Sequence, residues 1–274
     1  MNMVHKIYIL LFFAFFYTAC INAQQSFDTS ENIYEESKGI VYDREFTVDM
    51  KLHTNGYALG VNIARLKTYY LTRFFNIEIG EIKHPKEFRQ SFDFQAQSSK
   101  VSRAFVFGKQ NNLLVLRGGL GEKRYFSEKA RRKGLAVGVS YEGGASLGLL
   151  KPYYLELLRP VDSDVPNGEF VIRSEKYSPN NADTFLEINR IYGSSGFSKG
   201  LGEISVIPGL HGKAAVHFDW GAFDEFVKAM EAGIMVDVFF QEVPIMVESP
   251  LVQDSENSPF FINLYLNLQL GKRW

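Results

Sequence analysis

The stretch "EFTVDMKLHTNGYALGVNIARL", Glu45 to Leu66, alternates between two kinds of residue on both sides of a Thr-Asn-Gly turn. Phe46, Val48, Met50 and Leu52 take one face, and Thr47, Asp49, Lys51 and His53 take the other. Beyond the turn the apolar face resumes with Tyr57, Leu59, Val61 and Ile63, opposed by Ala58, Gly60, Asn62 and Ala64. Side chains on a strand point to opposite faces with a period of two, so this is a β-hairpin with one apolar and one polar side. The fold turns on whether the apolar side meets a protein core or lipid.

The same period recurs along the chain. Leu135, Val137, Val139 and Tyr141 oppose Ala136, Gly138, Ser140 and Glu142. Ile204, Val206, Leu210, Ala214, Val216, Phe218 and Trp220 oppose Glu203, Ser205, His211, Lys213, His217 and Asp219. The final segment sets Phe260, Ile262, Leu264, Leu266, Leu268 and Leu270 against Phe261, Asn263, Tyr265, Asn267, Gln269 and Gly271. With weaker segments near 67–82, 99–109, 112–121, 145–158 and 226–241, about ten strands are predicted, within a range of 8–12. "EFVIRSEK" and "TFLEINRIY", inside the long 159–200 link, are candidates for a further hairpin. Long links at 83–98, 122–133, 159–200 and 242–258 follow odd strands. Short ones, such as Gln110-Asn111 and Gly143-Gly144, follow even strands, and the first hairpin is the exception. Antiparallel neighbours then put the long loops at one end, an asymmetry that transmembrane barrels have and soluble sandwiches have no reason to adopt.

The face opposite the apolar one is rich in Gly, Ala, Ser and Asn, which suits a crowded barrel interior better than a solvated exterior. The expected fold is therefore an all-β antiparallel transmembrane barrel over residues 44–274. No mature stretch approaches the 20 apolar residues of a spanning helix. Tyr141, Trp220 and Trp274 are expected at the lower ends of even strands, as an interfacial girdle. A soluble lipocalin-like barrel carrying a lipid-like ligand is the inverted alternative.

Ahead of the barrel, "IYILLFFAFFY", Ile7 to Tyr17, follows Lys6 and precedes "TACINAQQ". This reads as a secretory signal peptide, residues 1–23, cleaved after Ala23, with a polar lead-in at 24–43. Cys20, the single cysteine, falls within the leader and offers a lipoprotein-like acceptor if cleavage precedes it. Cleavage after Ala23 instead leaves a mature chain without thiols. Thirty basic residues against 31 acidic ones give a net charge of -1, so nothing favours nucleic acid.

The last segment, "FFINLYLNLQLGKRW", ends on the aromatic Trp274 after alternating Leu266, Leu268 and Leu270, and it resembles the closing strand of Gram-negative outer-membrane β-barrels. Lys272 departs from that pattern, in a place where a lysine can snorkel to the interface. The whole is similar to small barrels of the OmpA, OmpX and PorT-like kind. The resemblance implies outer-membrane insertion, contact with outer-membrane lipid, and recognition of the closing strand by the barrel-assembly machinery.

Two sets of residues are candidates for chemistry. Glu203, Ser205, His211, Lys213, His217 and Asp219 form a predicted lumenal polar cluster. A histidine-based hydrolase acting on lipid or peptide would need a serine within reach of one histidine. Ser205 is too far along the strand from His217 to serve, so a neighbouring strand would have to complete the site. A plug of paired charges is the simpler reading, and no metal or cofactor is expected. Lys123, Arg124, Lys129, Arg131, Arg132 and Lys133 cluster in a predicted extracellular loop and are candidates for contacting lipopolysaccharide phosphates. The leading expectation is a non-enzymatic outer-membrane barrel. It would act through extracellular loops, or as an accessory to envelope assembly or secretion with an envelope protein as partner.

Overall fold

The computed structural model describes residues 42–68, 70–91, 102–126, 135–160, 170–220, 224–252 and 256–274. In chain order the strands are β1 (Arg44–His53), β2 (Gly56–Thr68), β3 (Leu71–Ile82), β4 (Arg89–Gln90), β5 (Phe105–Val106), β6 (Asn111–Tyr125), β7 (Ala136–Pro152), β8 (Tyr154–Pro160) and β9 (Phe170–Lys176). After a short helix, α1 (Ala182–Phe185), come β10 (Ile191–Ser194), β11 (Ser205–Asp219), β12 (Phe226–Val243) and β13 (Ser258–Arg273). Eight strands close a barrel in the order β1-β13-β12-β11-β7-β6-β3-β2, with every pairing antiparallel. The first and last strands pair from Glu45↔Arg273 to His53↔Tyr265, so the barrel has no free edge. Closure satisfies every ladder without exposing backbone, which is the condition for a sheet in hydrocarbon.

The apolar side faces out. Met50, Leu52, Leu59, Ile63, Leu264, Leu266 and Leu268 are all more than half exposed, whereas Thr47, Asp49, Lys51, Asn62 and Asn267 are buried. On β13 the outward apolar run extends from Phe260 to Leu270. At about 3.3 Å per residue and a tilt near 40°, that run spans about 25 Å, the height of a lipid-facing band.

Eight is the lower end of the expected range, and the two surplus segments have physical explanations. Of 102–109, the described part of the expected 99–109 strand, only Phe105-Val106 is strand. It pairs with Arg89-Gln90 outside the barrel, because Phe105 packs with Leu155, Leu157 and Phe185. Gly143-Gly144 is not a turn but the middle of β7. Gly144 faces Gly119 of β6 so closely that a Cβ would lie 2.5 Å from the Gly119 Cα. These glycines thin the wall where large polar side chains fill the lumen. The upper part of 145–158 leaves the barrel as β8, which pairs with β9 and β10 in a separate three-stranded sheet. "EFVIRSEK" and "TFLEINRIY" thus join β8 rather than forming a barrel hairpin.

The links remain sorted by end. The large ones, 83–110, 153–204 and 244–257, lie beside the Thr54-Asn55 turn. β2, β6 and β11 end, and β3, β7 and β12 begin, at the rim that carries Arg44 and Trp274. β6 ends at Tyr125 and β7 begins at Ala136 on the terminal rim, opposite the side on which the sequence placed the loop between them. Trp220 and Trp274 stand exposed at that rim, as expected of a girdle. Tyr141 instead lies partway up β7, because that strand ascends from the rim.

The large links fold into a cap. Ile82, Leu113, Val115, Leu150, Ile207, Phe239, Phe261 and, at the end of β12, Val243 line the barrel mouth, and Ile245 and Met246 drop into it from the β12–β13 link. Asn257 fixes that segment. Its Oδ1 accepts from the Ile245 and Met246 amides at 2.9 and 3.1 Å, and its Nδ2 donates to the Met246 carbonyl at 3.0 Å. Above the mouth, Phe105, Leu155, Leu157, Phe185, Leu186, Ile191 and Val247 form a second apolar cluster. Val252 packs against both clusters, so cap and barrel are joined by continuous apolar packing.

Candidate functional site

The lumen is a packed column of paired charges. Strand parity sends its side chains inward, and an eight-stranded barrel is just wide enough for such side chains to fill. Near the terminal rim, Arg273 donates to Glu45 at 2.8 Å and to Asp219 at 2.7 Å. Lys123 pairs with Glu45 at 3.3 Å and donates to Gln269 at 2.9 Å. The Tyr125 hydroxyl lies 3.2 Å from His217 Nε2 and donates to Asp219 at 3.3 Å, and His217 Nδ1 is 3.0 Å from Glu231. In the middle, Asp49 accepts from Asn62 at 2.5 Å, Asn267 at 3.1 Å and Gln269 at 3.2 Å.

The upper half centres on Glu78. It receives Arg117 at 2.9 Å, Lys213 at 2.8 Å, and Lys51. Arg117 also grips Asp237 with two parallel bonds, Nε at 2.7 Å and Nη2 at 2.9 Å. Arg117, Glu78 and Asp237 have side-chain exposures of 1% or less. Charges taken out of water at such cost persist only when paired and hydrogen-bonded, and here they are.

Of the sequence-predicted cluster, four residues lie in this column. His211 and Lys213 share Glu142, at 3.0 and 3.1 Å. His217 and Asp219 are joined through Tyr125 rather than to each other. Glu203 and Ser205 are not lumenal. Both are exposed: Glu203 precedes β11, and Ser205 is its first residue, paired with Leu150 at the barrel mouth. Glu203 instead accepts from Tyr154 at 2.7 Å and Lys176 at 2.5 Å in the cap, and these two donors hold its carboxyl below the usual value.

The serine that sequence reasoning sought is Ser146. Its Oγ is 3.1 Å from His211 Nδ1, and His211 Nε2 is 3.0 Å from Glu142 Oε1. Register explains the trio: His211 lies opposite Gly144, so Glu142 and Ser146, two residues to either side on the same face, flank its ring. A Cβ on Gly119 would lie 2.7 Å from Glu142 Oε1 and 2.9 Å from His211 Nε2, so that glycine is what admits them. The contacts match a serine–histidine–carboxylate array, but the surroundings do not suit acyl transfer. Ser146 is 1% exposed and also donates to Asp237 at 3.4 Å. The adjoining lumenal cavity, lined by Lys51, Glu142, Lys213 and Tyr265 among others, is about 10 Å³, room for one water at most. A nucleophile needs space for a reacting carbonyl and donors for its oxyanion.

Neither a protein-family model nor a curated protein matches this sequence. Among solved structures, the crystal structure of the N-terminal β-barrel domain of Pseudomonas aeruginosa OprF is similar. It shares 11% identity, with 85% of this chain and 98% of that chain covered and a TM-score of 0.33. The barrel assignment rests on this chain's own strand register.

The second predicted set divides. Lys123 is not a loop residue: it is 1% exposed and ion-paired inside the barrel, because its position on β6 has inward parity. Arg124, the next residue, faces outward, donates to Glu122 at 3.2 Å and lies 5.8 Å from the Tyr141 ring centroid. Lys129, Arg131, Arg132 and Lys133 lie outside the described residues. Sequence reasoning missed Glu78, Arg117, Ser146 and Asp237. Their inward parity was the available signal, and it was weak on β6, where Leu113 and Val115 also point inward.

Proposed function

We propose that this chain is an integral outer-membrane barrel that is not an enzyme and acts through its cap. The carrying observation is the inversion of an ordinary protein: an outward apolar band of about 25 Å around a lumen of paired charges. A soluble barrel would expose the ions and bury the leucines. The filled lumen supports an anchor rather than a conduit, since salt bridges and the apolar plug occupy the space that a channel requires. The cap supports a binding role. It is packed rigidly onto the mouth, and it exposes Phe88, Phe170, Phe197, Leu201 and Leu251. Large apolar side chains on a water-facing surface mark a contact surface for protein, so the partner class is another envelope protein.

With Arg44 and Trp274 on the periplasmic side, the cap is extracellular, and the ends of β6 and β7, between which the basic segment falls in sequence, are periplasmic. Lipopolysaccharide contact by that segment is therefore not part of this reading. Recognition of β13 by the assembly machinery remains part of it, with Trp274 as the terminal aromatic.

Topology tests the reading. Ser198→Cys in the cap and Asp224→Cys at the terminal rim are treated in intact cells with a membrane-impermeant maleimide. Labelling of position 198 alone, with position 224 reacting only after permeabilisation, is the expected result. Recovery of the protein in the soluble fraction, or the opposite labelling order, overturns it.

A further inference from the structure

The outer wall at the terminal rim carries a row of cations in register. Arg44 pairs with Arg65 across β1–β2, and Arg65 pairs with Arg73 across β2–β3. All three face outward and are exposed. Strands lie about 4.8 Å apart, so the Cα atoms of the three arginines fall within about 10 Å of one another. Each stands one outward position below an apolar residue of the lipid-facing band: Phe46, Ile63 and Phe75. Lys272, opposite Phe46, and Lys228, opposite Leu270, are further outward cations on β13 and β12, but they sit above the row rather than in register with it.

Compensation within the protein is incomplete. Arg73 donates to Glu122 at 2.8 Å, and Lys272 pairs with Glu225 at 2.8 Å. Among the described residues, no carboxylate pairs with Arg44 or Arg65. Like charges directly opposed on a sheet repel, and the arrangement becomes favourable when an anion bridges them. The opposite rim has a different character, with outward Glu81 (partnered by Lys83 at 3.8 Å) and Glu242. The two rims therefore present different charge to the two faces of a bilayer.

We propose that Arg44, Arg65 and Arg73 form a binding site for the phosphate group of an anionic glycerophospholipid in the leaflet level with Trp274. The arginine forks match phosphate oxygens, and the acyl chains lie against Phe46, Ile63 and Phe75. This rests on the membrane-barrel reading above, and the test separates the two.

The mature protein is reconstituted in phosphatidylcholine vesicles with and without phosphatidylglycerol, extracted in mild detergent, and assayed for retained lipid by native mass spectrometry. Phosphatidylglycerol is expected to be retained in preference to phosphatidylcholine. Arg44→Gln/Arg65→Gln should lose roughly tenfold of that preference, as removal of two charge-assisted contacts implies. Lys83→Gln, at the opposite rim, should keep it. Heat-modifiable gel migration reports whether each variant is folded. Failure to insert into either vesicle would count against the membrane-barrel reading itself. Insertion with equal retention of both lipids overturns the site, as does an unchanged preference in the double variant. Displacement of the lipid by inorganic phosphate, or retention of purified lipopolysaccharide in place of phosphatidylglycerol, also overturns it.

Discussion

Arg117 and Asp237 meet through two parallel N–H···O bonds, 2.7 and 2.9 Å long, in the fully enclosed upper lumen, and the third arm of the guanidinium reaches Glu78 at 2.9 Å. One side chain thus ties β6 to β12 across the barrel and to β3 beside it. Removing it leaves Asp237 buried without its cation, while Glu78 keeps Lys51 and Lys213. Arg117→Ala is expected to destabilise the barrel by about 3–5 kcal/mol, the usual consequence of breaking a buried pair. Arg117→Met/Asp237→Leu should cost less than the single change, because it leaves no buried carboxylate without its cation. Urea unfolding in vesicles, followed by tryptophan emission, measures both.

Ser146, His211 and Glu142 have the contacts of a hydrolase and none of its access. Ser146 is expected not to react with a fluorophosphonate probe in the folded protein, and Ser146→Ala should leave any esterase background unchanged. Covalent labelling at Ser146 would reverse this and restore the hydrolase reading.

The same trio depends on a missing side chain. Gly119→Val should clash with Glu142 and His211 and destabilise by about 1–3 kcal/mol, the range for overpacking. Gly118→Val, one residue away on the outer face with open space around it, should be tolerated. Equal effects of the two would contradict the assigned inward and outward faces.

In the cap, Arg159 grips Glu175 at 2.9 and 2.7 Å, and Asn181 adds a bond at 3.1 Å. The Arg159 bonds first, and Asn181 with them, hold the Glu175 carboxyl below its ordinary 4.5. A lowered value in the folded state means that the clasp contributes fully above about pH 4.5 and loses its contribution as pH falls through the folded value. Amide protection of β9, corrected for intrinsic exchange rate, should therefore drop at acid pH, and Glu175→Gln should flatten that dependence.

Much of the barrel was legible in the sequence because one period governed both faces. Strands β1, β2, β11 and β13 alternate with little interruption, and their polar residues Asp49, Lys51, Asn62, His211, Lys213, His217 and Asn267 lie in the lumen. The cap was not legible. Phe105, Leu155 and Leu157 look like barrel-strand residues until their partners, Phe185 and Ile191, are known, and those partners are distant in sequence. Gly143-Gly144 misled for a local reason: paired glycines signal a turn, whereas here they thin a wall. Ser205 was considered because it shares a strand with His217. Ser146, which does touch a histidine, comes from the neighbouring strand, and cross-strand register is not written in one strand's composition.

The central claim is that hydrocarbon surrounds the outward ridge of β13. The chain has two tryptophans, and both can be removed as Trp220→Phe and Trp274→Phe to give a silent background. Leu266→Trp then places one fluorophore at the middle of the band. Quenching by brominated lipid that is strongest when bromine sits deep in the acyl chain is the predicted result. Emission indifferent to brominated lipid, from protein that stays monodisperse without detergent, would contradict the account.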